Sequence, residues 1–419
     1  MKPLILFVFT LCSYVLAFTQ PDTTQKIIAG RANSFIQQQK PYVVLISIDG
    51  FRYDYAEKFD AVNIKALSIN AVKAASMIPS YPSLTFPNHY TIATGLYPSH
   101  HGLVGNFYYN RMKKESYGMK TERIVKDGSW YGGTPIWVLA EEQQMLSASF
   151  YWVGSEANIK GIYPTYYYSY NEDIPNKRRI EIIKDWLQLP AEKRPHLITV
   201  YFPEVDHAGH KYGPDAKQTA DAVKQVDSVI GRLNEVVKST GLPVNFILVS
   251  DHGMTKIDTE NTIKLPDVVD TSKFIIPRGA ELLMLYAKNK KDVKKTYKQL
   301  KATQKDFTVY RPNKMSAILR FSTKDDWQQH IGDLLLIPNW PKIFYAGNKK
   351  PSPGAHGYNP YLVKDMHAIF YAWGPAFKNN LTVPSFENVN VYPVITSILG
   401  LNINEPIDGT FKIAKEILY

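Results

Sequence analysis

Four short runs, residues 43–48, 197–202, 246–250 and 368–373, are built almost wholly from β-branched, aliphatic and aromatic residues. They lack the polar alternation of a strand with one wet face. Such runs must be covered on both sides, as in a parallel sheet with helices above and below. The segments between them carry helical periodicity. Residues 177–189 place Ile180, Ile183, Trp186 and Leu187 on one face, and residues 215–240 repeat apolar side chains from Ala222 to Val237. Residues 389–399 form an apolar closing helix that stops at Gly400. Strands alternating with helices predict an α/β sandwich with a central, mostly parallel sheet flanked by helices. A different pattern starts near residue 275: an apolar run at 281–286, a basic helix over 292–302, then further strands. It predicts a small α+β insertion at 275–350.

In open parallel sheets, ligands sit beyond the carboxyl ends of the strands. Three of the predicted strand ends deliver acids or histidines. Asp49 follows the first run, Asp206 the second, and Asp251-His252 the third. Asp206 and His210 are spaced i, i+4, so one helical turn can aim both at a single metal ion. His356 lies in Gly354-Ala355-His356-Gly357, where the glycines let the backbone approach closely. Three Asp and three His make a hard-plus-borderline donor set, which favours Zn²⁺ over Mg²⁺ or Ca²⁺. Each signal is weak alone; their coincidence at strand ends makes a metal site. The nucleophile candidate is Thr85, in Ser83-Leu84-Thr85-Phe86-Pro87-Asn88-His89. Pro87 suits a first helical turn, so Thr85 either caps that helix or is activated by its positive end together with a metal. His89 reads as a core or supporting histidine.

The rest of the chain bounds the setting. Lys2 precedes an apolar run from Leu4 to Leu16, and Val15-Leu16-Ala17 offers a cleavage site, the layout of a secretory signal peptide at 1–17. The single cysteine, Cys12, falls inside it, so the mature chain is expected to be cysteine-free, without disulfides, and periplasmic or secreted. No membrane span is expected after cleavage. Residues 18–40 are polar and read as a linker, leaving 41–419 as one catalytic domain. The 49 Lys and Arg against 38 Asp and Glu give a net charge of +11, suited to an anionic partner. The basic stretch 288–298 reads as a solvated helix face rather than a nucleic-acid contact. There are 28 tyrosines, five of them in 163–170.

Taken in order, Ser47-Ile48-Asp49-Gly50-Phe51-Arg52, Thr85-Phe86-Pro87-Asn88-His89-Tyr90, Thr94-Gly95-Leu96-Tyr97-Pro98-Ser99-His100-His101-Gly102, Asp206-x-x-Gly209-His210, Ser250-Asp251-His252-Gly253-Met254 and Gly354-x-His356-Gly357 resemble the motifs of the nucleotide pyrophosphatase/phosphodiesterase family of the alkaline phosphatase superfamily. The resemblance implies an alkaline-phosphatase-like sandwich and two Zn²⁺ ions. One would be held by Asp206, His210 and His356. The other would be held by Asp49, Asp251, His252 and the Thr85 oxygen. It further implies that Asn106 donates to a phosphoryl oxygen, and that a base stacks on aromatics at Phe86 and Tyr167, with Trp152 and Tyr201 nearby and Glu156 as an acidic pocket residue. Trp152-Val153-Gly154-Ser155 departs from the usual Trp-Pro-Gly-Ser, and Gly105 stands where animal members often carry Asp. The cysteine-rich and nuclease-like domains of large animal members have no counterpart here, which suggests a compact bacterial-type version.

The implied reaction is hydrolysis of phosphodiester or pyrophosphate bonds of small nucleotides to 5′-mononucleotides, through a covalent nucleotidyl-Thr85. The charges of two Zn²⁺ would offset three aspartates and a Thr85 alkoxide, leaving a near-neutral site open to a monoanionic diester. Alternatives are a lysophospholipid or choline-phosphodiester enzyme of the same fold, and less readily a phosphomonoesterase. From another class comes an exported nucleotide- or metal-binding protein without turnover. No stable nucleic-acid partner is expected.

Overall fold

A computed structural model describes residues 22–419. The expected leader, with Cys12, lies outside the described residues. The core is a nine-stranded sheet in the spatial order Lys26–Ile27, Tyr166–Tyr167, Ser147–Phe150, Leu197–Phe202, Tyr42–Ile48, Val244–Val249, Phe370–Trp373, Val72–Ala74, Leu381–Val383. The four strands at its centre, Ser147–Phe150 through Val244–Val249, are all mutually parallel.

Side chains alternate across this sheet and divide the core in two. Val43, Leu45, Ile247 and Val249 face one layer, with the helices Thr85–Thr94, Ile136–Glu142 and Val391–Leu399. Val44, Ile46, Phe246 and Leu248 face the other, with Asn176–Leu187 and Lys217–Lys238. Both faces are therefore dry, which is why the runs are uninterrupted. The fourth run corrects the expectation of a parallel strand. Phe370–Trp373 pairs antiparallel with Val244–Val249, in register Phe246 with Trp373. A strand buried on both faces reads the same in sequence whichever way it runs.

Residues 22–40 are not a free linker. Lys26–Ile27 adds an edge strand beside Tyr166–Tyr167. Asn33 donates to Ala191 O and Arg194 O at 2.9 and 2.7 Å, and Gln37 donates to Gln143 O at 2.9 Å. Polar side chains that look solvated in sequence are here satisfied by the main chain of the body. Phe274–Ile275, Leu283–Ala287, Phe307–Tyr310 and Leu334–Pro338 form a separate antiparallel sheet, backed by the Lys291–Thr303 helix through Leu300 and enclosing its own core.

His100 pins the segment after the Thr85–Thr94 helix to the C-terminal region. Its Nδ1 lies 2.7 Å from Asp408 Oδ2, its Nε2 3.6 Å from Asp325, and its ring stacks on Trp327. Burial opposes the charged imidazole, but the Asp408 and Asp325 carboxylates outweigh it and hold its pKa above the usual value. A raised folded-state pKa stabilises below the unfolded value near 6.5 and is lost as pH rises through the folded one. His100→Gln is therefore expected to cost about 1 kcal/mol in chemical denaturation at pH ~5.5. The cost should shrink toward zero at alkaline pH; a cost that grows with pH would contradict this.

Candidate dimetal site

The carboxyl ends of the three longest parallel strands converge. Asp49 follows Tyr42–Ile48 directly, and Asp251-His252 follow Val244–Val249 with only Ser250 between. Asp206 and His210 stand on the Glu204–Tyr212 helix that opens after Leu197–Phe202. His356 arrives on the Gly354–Ala355 strand, which runs so close to that helix that a Cβ at Gly354 would overlap the Gly209 carbonyl. Gly50 has a positive φ of 68°, and a Cβ there would come within 2.9 Å of Asp206 Cα. Glycine is what lets these chain segments meet.

Two donor groups result. In the first, Asp206 Oδ1 lies 3.5 Å from His210 Nε2 and 3.6 Å from His356 Nε2, and the two imidazole nitrogens are 3.0 Å apart. In the second, His252 Nε2 lies 2.9 Å from Asp251 Oδ2 and 3.5 Å from Asp49 Oδ1. Thr85 Oγ1 is 3.2 Å from the same nitrogen. The groups adjoin: Asp206 can be grouped with Asp49 and His252 as well, and the His252 and His356 rings stack at 3.5 Å.

The donors are oriented by their surroundings. Nδ1 of His210, His252 and His356 each lies 2.9 Å from a main-chain carbonyl, of Gly354, Gly253 and Ser83 respectively. A carbonyl only accepts, so Nδ1 carries a proton and Nε2 is the nitrogen turned to the site. Asp49 Oδ1, Asp206 Oδ1 and Asp251 Oδ2 are buried with no hydrogen-bond partner. Burial, then the Asp251 and Asp206 charges, push Asp49 well above the usual carboxylate range. Burial also disfavours the Asp251 charge, but His252 and His89 pull its pKa well below normal. Burial and the neighbouring imidazoles keep His356 neutral. Buried carboxylate oxygens facing imidazole Nε2 atoms fit divalent cations, and the mixed O/N donor set fits zinc.

Thr85 opens the Thr85–Thr94 helix, with Leu84 at its N-cap. Its hydroxyl makes no capping bond and faces His252 instead, which removes the capping alternative. The backbone N–H of Phe86 donates to Asn106 Oδ1 at 3.0 Å. Asn106 is thereby fixed with its amide nitrogen free to donate. His89 is fully buried and engaged at both nitrogens: Nε2 with Ser47 Oγ at 2.9 Å, Nδ1 with Thr85 O at 3.0 Å and Asp251 at 3.3 Å. It braces the helix against Asp251.

A cavity of about 730 Å³ opens beside Thr85, Asp49 and Asp206. Phe86, Trp152 and Glu156 line it. The Trp152 indole is anchored to His89 O at 2.9 Å. Burial raises the Glu156 pKa, with Lys126, 3.8 Å away, opposing the rise. Tyr201 also lines the cavity, and its hydroxyl donates to Asp49 Oδ2 at 2.6 Å, tying its ring to the carboxylate group. Tyr167 is not in the cavity wall. It sits on the strand next to the edge and stacks on Tyr163 at 5.3 Å. Of the clustered tyrosines after Tyr167, Tyr168 and Tyr170 line the cavity; Tyr168 is buried, whereas Tyr170 is half-exposed and edge-on to Tyr151 and Tyr201. Sequence also passed over Glu281, the first polar residue of an apolar run. It packs on Gly357, and burial pushes its carboxyl up to about 7.

Among proteins with curated descriptions, the mouse ectonucleotide pyrophosphatase/phosphodiesterase family member 1 is 34% identical over 382 residues, 87% of this chain and 41% of its own. The venom phosphodiesterase of Naja atra is 34% identical over 381 residues, 88% and 45%. The chain thus spans less than half the length of these relatives. The solved structure of murine ectonucleotide pyrophosphatase/phosphodiesterase 5 superposes with a TM-score of 0.83 at 27% identity, covering 91% of this chain and all of that one. The same murine protein has been solved as an inactive threonine-to-alanine variant in complex with AMP, with the same score and coverage. The sequence profile of the type I phosphodiesterase / nucleotide pyrophosphatase family matches residues 43–359. The chain belongs to that family.

Proposed function

We propose that this protein is an exported dizinc hydrolase that cleaves phosphodiester and pyrophosphate bonds of small nucleotides, releasing 5′-mononucleotides. The observation that carries the reading is the convergence of three buried carboxylates on three imidazoles whose Nδ1 atoms are turned to main-chain carbonyls, with the Thr85 hydroxyl on the same spot. Asp206, His210 and His356 would hold one ion; Asp49, Asp251, His252 and Thr85 would hold the other. Two zinc ions there would supply Lewis-acid stabilisation of the attacking and leaving oxygens and lower the threonine pKa. The relatives' names, and the AMP bound to the murine threonine variant, support a nucleotide substrate. The predicted leader at 1–17 supports export.

The chain's own residues set the geometry. Thr85 presents its oxygen from a first helical turn, where partial positive charge favours the alkoxide. It attacks phosphorus, the leaving alcohol or pyrophosphate departs, and a nucleotidyl-Thr85 ester remains for water to cleave. Asn106, locked by the Phe86 amide, donates to a non-bridging phosphoryl oxygen as charge builds on it. Trp152, Phe86 and Tyr170 offer aromatic faces for the base, a grip that does not require reading its edge.

Three measurements check this account. Thr85→Ala should leave zinc content and melting temperature unchanged while turnover falls at least ~10³-fold; near wild-type turnover would refute the covalent scheme. Tyr201→Phe removes the hydrogen bond to Asp49 and should weaken zinc binding about 10–100-fold in a chelator competition, with the fold intact. Unchanged affinity would mean that the bond does not orient the carboxylate. Tyr170→Ala should raise KM for a nucleotide diester roughly tenfold, and Tyr167→Ala should leave it unchanged. The reverse order would return the stacking role to Tyr167.

A further inference from the structure

The insertion meets the body along a second cleft, of about 650 Å³, that contains none of the residues assigned above. Arg111 reaches it from the turn after the Phe107–Asn110 strand. Lys290 and Lys294 come from the start of the Lys291–Thr303 helix, and Arg311 follows the Phe307–Tyr310 strand. Two carboxylates, Asp326 and Asp333, also line it, leaving four cations against two anions.

Both carboxylates are already engaged within the protein. Asp333 accepts from Arg111 Nη2 at 2.7 Å, from Ala287 N at 2.8 Å and from Lys290. Asp326 accepts from the His330 and Ile331 amides at 2.9 and 2.8 Å. Arg311 and Lys294 differ. Among the described residues, neither makes an ion pair or a side-chain hydrogen bond. Arg311 Nε is buried without a partner, and the guanidinium carbon lies 4.9 Å above the Tyr297 ring. Stacking fixes the plane of the fork without neutralising it. An oriented guanidinium with no acceptor of its own presents paired donors at the spacing of two oxygens of a tetrahedral oxyanion. Lys294, one turn into the helix, adds a mobile point charge at the rim.

We propose that this cleft is a second, non-catalytic binding site for a phosphate group, free or carried on a small molecule, held by the Arg311 fork and Lys294. The inference does not depend on the chemistry of the dimetal site. It also refines the reading of the basic 288–298 stretch, since Lys294 belongs to a built concavity and not only to a solvated face.

The test is calorimetric titration of the metal-loaded enzyme with inorganic phosphate, pyrophosphate and AMP. Wild type should show two sites for at least one of these probes. Arg311→Gln/Lys294→Gln should lose one of them while keeping kcat/KM on a nitrophenyl nucleotide diester within about twofold. Two AMP sites would identify a phosphate monoester as the ligand, whereas two sites for inorganic phosphate alone would identify the free anion. A single site in wild type, or two sites undiminished in the double variant, would overturn the proposal. If the double variant fails to fold, Arg311→Lys decides: the charge stays but the fork is lost, so affinity at the second site should fall about tenfold. Unchanged affinity in that folded variant would also overturn it.

Discussion

Three aspartates, Asp49, Asp206 and Asp251, are brought together in a nearly dry pocket, with one oxygen of Asp49 and one of Asp206 making no hydrogen bond and Asp251 Oδ2 facing only the His252 and His89 imidazoles. Burying an ionised carboxylate costs several kcal/mol even after relaxation, and like charges side by side add to that. The protein offers little in return: His252 and His89 pair with Asp251, and Tyr201 donates one hydrogen bond to Asp49. A sheet whose parallel strand ends converge these groups is built around positive charge it does not itself contain. Divalent cations would supply that charge, and the rest of the arrangement is consistent with holding them.

The floor of the site is correspondingly stiff. Three imidazoles are each tied through Nδ1 to a main-chain carbonyl, so their Nε2 atoms are held toward the site before any ligand arrives. The Thr85 helix is fixed to the same floor by His89, which spans Ser47 on the first parallel strand, the Thr85 carbonyl and Asp251. Such support would keep Thr85, the proposed nucleophile, within the small tolerance that in-line displacement demands. The cavity walls come from other elements: Trp152 and Glu156 from the loop after Ser147–Phe150, and Tyr170 from beyond the Tyr166–Tyr167 strand. The donor groups and the cavity walls therefore rest on separate segments of chain.

The donors were legible in the sequence because their positions follow from a simple rule. An uninterrupted apolar run must be a covered strand, and the polar residue that ends it must emerge at the sheet's carboxyl edge. Asp49 and Asp251-His252 obey it directly. Asp206 obeys it one turn into a helix, and His356 was marked by its glycines. What failed to read out depends on long-range partners. The direction of Phe370–Trp373 is set by the strand beside it, not by its own residues. Residues 22–40 look solvated because the carbonyls that satisfy Asn33 and Gln37 are over 100 positions away. Among clustered tyrosines, position decides: Tyr166 is buried, Tyr167 stacks on Tyr163 outside the cavity wall, and Tyr168 and Tyr170, past the strand, line the cavity, with only Tyr170 half-exposed there. Tyr201 looked like a ring for stacking, and only the fold shows its hydroxyl meeting Asp49.

The central claim is that this pocket folds around two zinc ions. Elemental analysis of the purified protein, after exhaustive dialysis against metal-free buffer, tests it most directly. The account predicts two zinc ions per chain. A chain that retains full activity with less than one bound metal ion would contradict it.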